Sequence, residues 1–118
     1  MNHYDSLTIL SEEFLRVADG KGWYPDDSQY NLDRDLMHLH AEVSELWEAD
    51  RVNSLNLPCN KSEFMVKYLK ENLTCGEEEM ADIVIKALTI AAKLKIDLPR
   101  AVRVTNDYNK IRPPKERK

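Results

Sequence analysis

Glycine is scarce in this chain, with three in 118 residues, and cysteine is scarcer, with two. So little glycine leaves few sites for the tight turns of hairpin-rich β folds and favours helix, where glycine is costly. Cys59 and Cys75 have neither zinc-ligand spacing nor the density of a disulfide scaffold, so both are expected to be free thiols. No apolar run approaches the roughly 20 residues needed to cross a bilayer, and no stretch near Met1 reads as a secretory signal. A cytoplasmic protein without membrane partners is the expectation. Positive charge is in deficit: 17 Lys and Arg against 21 Asp and Glu give a net charge of −4 and a pI near 5.4. That balance argues against a nucleic-acid backbone as partner. What remains is one domain, residues 1–118, long enough for a single core. Its basic end, 113–118, is expected to be a frayed tail.

Apolar periodicity and capping residues predict an all-α bundle of four to five helices. Leu7, Leu10, Phe14 and Val17 recur at helical spacing, capped by Asp5 or Ser6, over about Asp5 to Ala18. Gly20 and Gly22 stop that helix, and Trp23 to Asp27 reads as a loop. A second helix opens near Asn31 or Asp33 and runs to about Val52. A short one follows from Ser62 to about Glu71. Thr74 with Glu77 three residues on is a capping-box pattern, opening a helix that ends near Lys95. Asp97 with Pro99 in the first turn starts the last helix, to about Tyr108.

Two of these helices carry the same acidic motif. Glu42-Val43-Ser44-Glu45-Leu46-Trp47 and Glu79-Met80-Ala81-Asp82-Ile83-Val84 both read acid, apolar, small, acid, apolar, apolar. Acids three apart share a helix face. In both helices the pair lies to the same side of an apolar stripe: Leu36, Leu39, Val43, Leu46 and Trp47 in the first, Met80, Ile83, Val84, Ala87, Ala91 and Leu94 in the second. Packing the stripes together gathers four carboxylates, partly buried. Such a cluster repels itself unless it is protonated or holds a cation. Trp47 is read as core, and Glu48 and Glu78 as solvent-exposed or as neighbours of the ligands. The second helix of the pair has another stripe, Ala81, Ile85, Leu88 and Ala92. That predicts burial from both sides, by the other helices or by a second subunit.

The order Glu-x-x-Glu, spacer, Glu-x-x-Asp resembles the MazG-like all-α nucleoside triphosphate pyrophosphohydrolases. Further segments share the likeness: Lys21-Gly22-Trp23, Leu39 to Leu46, Glu78 to Ile85, Leu94 to Leu98, and Tyr108-Asn109-Lys110-Ile111-Arg112-Pro113. It covers roughly residues 4 to 114. Two features depart from it. The spacer between Glu45 and Glu79 is 33 residues, 46 to 78, longer than usual for the motif. Thr105 stands where many members carry a lysine.

The resemblance implies a bundle whose core is completed by dimerisation, as a homodimer or a dimer of dimers. It implies hydrolysis of (deoxy)nucleoside triphosphates between the α and β phosphates, giving monophosphate and pyrophosphate, in nucleotide-pool sanitation. Glu42, Glu45, Glu79 and Asp82 would hold Mg²⁺, with Mn²⁺ as a substitute, and are the catalytic candidates. The donor set fits independently, since Mg²⁺ takes oxygen ligands. A bridged di-iron site would want Glu-x-x-His, and neither His38 nor His40 has a Glu three residues before it. Asn106, Asn109, Lys110 and Arg112 are candidates for phosphate or sugar contacts. Trp23 either packs on the protein or stacks on a base. The competing reading is a non-catalytic helical module that binds nucleotides or other proteins.

Overall fold

The computed structural model describes residues 2–24 and 30–114. Within them the chain is helical, without a β-strand; an isolated antiparallel bridge joins Pro58 to Thr74. A 3-10 turn over His3–Asp5 leads into α1 (Ser6–Gly20), followed by α2 (Leu32–Arg51), α3 (Ser62–Leu69), α4 (Cys75–Lys93) and α5 (Leu98–Ile111).

Local chemistry sets most boundaries. The Asn31 side chain accepts from the Arg34 amide at 3.0 Å and opens α2. Thr74 and Glu77 form the reciprocal capping box of α4: Thr74 Oγ1 accepts from the Glu77 amide at 3.2 Å, and the Glu77 carboxylate accepts from the Thr74 amide at 2.9 Å. Asp97 caps α5 through the Arg100 amide at 3.3 Å. The start of α1 differs from expectation. Asp5 does not cap it; its carboxylate accepts from the Asn2 amide at 3.1 Å and closes the preceding 3-10 turn. At the far end Gly20 is still helical. The stop is Gly22, at φ +73°, with the Trp23 amide on Ala18 O and the Gly22 amide on Asp19 O, both at 3.0 Å. These are the paired bonds of a Schellman stop, which needs a left-handed residue. α3 ends two residues early, at a left-handed Lys70. α5 runs past Tyr108 until Arg112 turns extended, as a residue before proline must.

Thr74→Ala removes one half of the box and frees an amide donor. It is expected to lower stability by about 1 kcal/mol, seen as a drop of about 4 °C in the midpoint of thermal unfolding by circular dichroism.

α4 is central. It packs along α2 on one side and α1 on the other, while α5 and the 3-10 turn lie on α1. α2 and α4 run antiparallel: Asp35 meets Lys86, and Glu42, seven residues further along α2, meets Glu79, seven residues back along α4.

The core that results is thin. Among the described residues the buried hydrophobic ones are Ala18, Cys59, Leu88, Ile90 and Ala91, and no large side chain is fully enclosed. An apolar face is left open between α2 and α4. The expected burial of Trp47 does not occur within one chain: it is 62% exposed, and neither α3 nor α5 packs along α2. Val43, Met80, Val84 and Ile85 on the same face are also 40% exposed or more. Of the second stripe, Leu88 is buried. No described helix is long and apolar enough to cross a membrane.

A carboxylate cluster between two antiparallel helices

The twin motifs meet. Glu42, Glu45 and Glu79 each present a carboxylate oxygen, and the three atoms lie within 4.8 Å of one another. Asp82, one turn further along α4, stands at the edge of this group. Its charge acts on Glu42, and Glu45 acts on it. Glu45 is exposed, whereas Glu42 and Glu79 are half-buried. One oxygen of each of the latter, Glu42 Oε2 and Glu79 Oε2, is shut off from solvent with no hydrogen-bond partner. Buried carboxylate oxygens are normally satisfied, and leaving one unpaired costs about 1–3 kcal/mol.

Protonation relieves part of that cost. Burial, then Glu45 beside it, pushes the Glu79 carboxyl up to about 7, with Glu78 and Glu42 adding to the effect. Burial raises Glu42 too, helped by Glu45 and Asp82 and opposed by Lys61. Asp82 is raised by burial, with Lys61 working against Glu78 and Glu45. Two carboxyls can hydrogen-bond only if one carries a proton. A proton shared with Glu45 is therefore the alternative to a cation.

Lys61 was not legible as a site residue. It precedes α3, in the lengthened segment between the motifs, and its ammonium donates to the Glu78 carboxylate and lies 3.9 Å from Asp82. The segment is tied down on both sides. The Cys59 amide donates to Leu73 O at 2.9 Å, and the Cys75 and Gly76 amides to Leu57 O and Leu55 O at 2.8 and 2.9 Å. Gly76 permits that approach, since a Cβ there would lie 3.1 Å from Leu55 O. Glu78 differs from one of its two expected readings. It is buried, 7% exposed, with Lys61 as its partner, and adjoins the cluster instead of facing solvent.

A second ionic group braces the same helix pair. Asp35 is buried and accepts from Tyr24 Oη at 2.6 Å, Tyr30 Oη at 2.8 Å and Lys86 Nζ at 3.3 Å. Burial alone would raise its pKa, but the two phenols and Lys86 outweigh it and hold the carboxyl below its usual range. Burial and that carboxylate hold both phenols well above theirs. The Lys93 ammonium lies 4.4 Å from the Tyr24 ring centroid and 5.3 Å from that of Tyr30. This brace sits about 10 Å along α2 from Glu42 and fixes the register that brings the motifs together.

An open groove of about 1170 Å³ runs beside the cluster, lined by Phe14, Val43, Trp47, Leu55, Met80 and Val84 among others. It is mostly apolar, and Val43 and Met80 adjoin Glu42 and Glu79 in sequence.

The remaining candidates are placed elsewhere. Trp23 follows α1 and is 65% exposed; the loop residues Pro25 to Asp27 lie outside the described residues. Asn106 donates to Tyr4 Oη at 3.3 Å, Lys110 pairs with Asp107 at 3.5 Å, and the Arg112 guanidinium lies 5.9 Å from the Tyr108 ring centroid. Among the described residues no hydrogen bond or ion pair links them, or Asn109, to the acidic cluster. Cys59 and Cys75 are free thiols, and His40 and Glu48 are exposed. Comparison with protein-family models, with curated proteins and with solved structures finds no match to this chain.

Proposed function

We propose that this protein hydrolyses (deoxy)nucleoside triphosphates to the monophosphate and pyrophosphate in a Mg²⁺-dependent reaction, as the resemblance to MazG-like enzymes implies. The observation that carries the reading is the convergence of the twin motifs, with two buried carboxylate oxygens left unpartnered. The donor set fits a hard divalent cation: all oxygen, partly dehydrated, and excess in negative charge. Glu42, Glu45, Glu79 and Asp82 would hold Mg²⁺, or Mn²⁺ in its place. When bound, the ion supplies neutralisation of phosphate charge and polarisation of water.

The chain's own residues define the rest. Glu45 is the most solvent-open of the three clustered glutamates and can take a proton from an attacking water. The Asp35–Lys86 ion pair joins the same two helices about 10 Å along α2 from Glu42. The apolar groove beside the cluster, with Trp47 at its wall, is left open by the single chain. The same face also accounts for the proposed homodimer or dimer of dimers, because its side chains are too exposed for a self-sufficient core. Nucleotide-pool sanitation in the cytoplasm is the role such chemistry serves.

A panel of ribo- and deoxynucleoside triphosphates with Mg²⁺ tests the reading. Phosphate is assayed with and without added inorganic pyrophosphatase. Colour that depends on the added enzyme is expected for at least one nucleotide. Colour without it for every active nucleotide defeats the proposal in favour of a phosphatase that releases orthophosphate, and no colour at all defeats it in favour of a non-catalytic module.

A further inference from the structure

We infer that Lys61 is the resident cation of the carboxylate site: it balances Glu78 and Asp82 in the metal-free protein and contacts the polyphosphate of a bound triphosphate once a divalent ion holds Asp82. The second half rests on the proposed function. Lys61 is the described cation that forms ion pairs with this cluster, through Glu78 and, at 3.9 Å, Asp82. No ion pair of Lys110, Arg103 or Arg112 reaches it. The Lys61 side chain is 53% exposed while that of Glu78 is 10% exposed, so the ammonium stands at the rim between a buried anion and solvent. An ammonium has three donors. Glu78 takes one, and Asp82 is too far to take another by a hydrogen bond. Donors are therefore left over on the solvent side of the cluster, where a charged ligand enters.

The position is built. The Met65 amide donates to Lys61 O at 3.0 Å and the Ser62 amide to Cys59 O at 3.1 Å, with Cys59 itself buried. The backbone of Lys61 is thus anchored, and its ammonium lies 3.9 Å from Asp82, a place that a metal ion at Asp82 would contest. A triphosphate carries more negative charge than one divalent ion cancels, and a preplaced ammonium supplies the difference at little reorganisation cost.

Two calorimetric titrations test this: Mn²⁺ alone, then an α,β-imido nucleoside triphosphate at saturating Mn²⁺. Lys61→Met is expected to tighten Mn²⁺ at least threefold, because a competing cation is gone, and to weaken the analogue at least tenfold. Lys61→Gln, more conservative in polarity, should behave likewise and serves if the methionine variant does not fold. Lys61→Arg should keep analogue affinity within threefold of wild type. Lys67→Ala, on the exposed side of α3, should change neither. Analogue affinity within twofold of wild type in the methionine or glutamine variant, or weaker Mn²⁺ binding, overturns the inference. A wild type that binds the analogue yet hydrolyses no triphosphate defeats the proposed function and leaves Lys61 to be decided by the titrations. A wild type that binds no analogue defeats both.

Discussion

Glu79→Gln is expected to lower kcat/KM for a triphosphate by at least a hundredfold, about 2.7 kcal/mol of transition-state stabilisation, while making the metal-free protein more stable at pH 8. The two effects have one cause. Glu79 lies where burial and neighbouring carboxylates disfavour its charge, and its carboxyl titrates at about 7. In the unfolded chain it titrates near the ordinary glutamate value, roughly 4.3. Between those values the folded state holds the extra proton, so stability falls as pH rises. Above about pH 7 the full penalty is present. The amide of the variant never carries charge, so the penalty is removed there. The gain is about 1 kcal/mol after allowing for solvent screening, or about 4 °C in melting temperature, and it should shrink towards pH 4.5. Asp82 and Glu42 are shifted in the same direction and contribute with the same sign. Asp35 has the opposite sign: its carboxyl is held low, so its contribution is lost as pH falls. Added Mg²⁺ should raise the wild-type melting temperature at pH 8 and leave that of the variant nearly unchanged. Near wild-type turnover in Glu79→Gln would remove that residue from the site.

Ile85→Asp is expected to cost several kcal/mol and to dissociate or unfold the protein. In one chain Ile85 is 40% exposed and lines the open groove with Val84 and Met80. If the single chain were the working unit, a charge at so open a site would change stability by about 0.5 kcal/mol or less. A second copy of the chain over this face would make the same substitution a buried charge. On this face Val43, Trp47, Met80, Val84 and Ile85 are 40–62% exposed, a contiguous apolar patch of the kind that a second copy would cover. Light scattering at micromolar concentration should therefore report a dimer or larger for wild type and a lighter or aggregated species for Ile85→Asp. A clean wild-type monomer contradicts this prediction. Leu88→Asp does not discriminate, because Leu88 is already buried within the chain.

Features that depend on near neighbours were legible in the sequence. Asn31, Thr74 with Glu77, and Asp97 with Pro99 mark helix starts because a cap needs only its own next three amides. The acid pairs were legible for the same reason, since three residues set their common face. Asp5 was misread because Asn2 competes for its carboxylate, diverting it to the 3-10 turn. Long-range partners left no local signal. Lys61 and Glu78 are 17 residues apart, and Asp35 and Lys86 are 51 apart. Nothing in the periodicity of α2 or α4 singles out Asp35 as the buried acid or Asp33 as the exposed one. Apolar stripes say which face seeks a partner but not whether the same chain supplies it, which is why Trp47 was expected in the core and stands at its edge.

The most direct test of the central claim is product identification by ³¹P nuclear magnetic resonance, with purified protein, Mg²⁺ and a triphosphate that the nucleotide panel finds active. The account predicts monophosphate and pyrophosphate in equal amounts, no diphosphate, and no products when the metal is chelated. Diphosphate with orthophosphate, or turnover that persists in chelator, would contradict it.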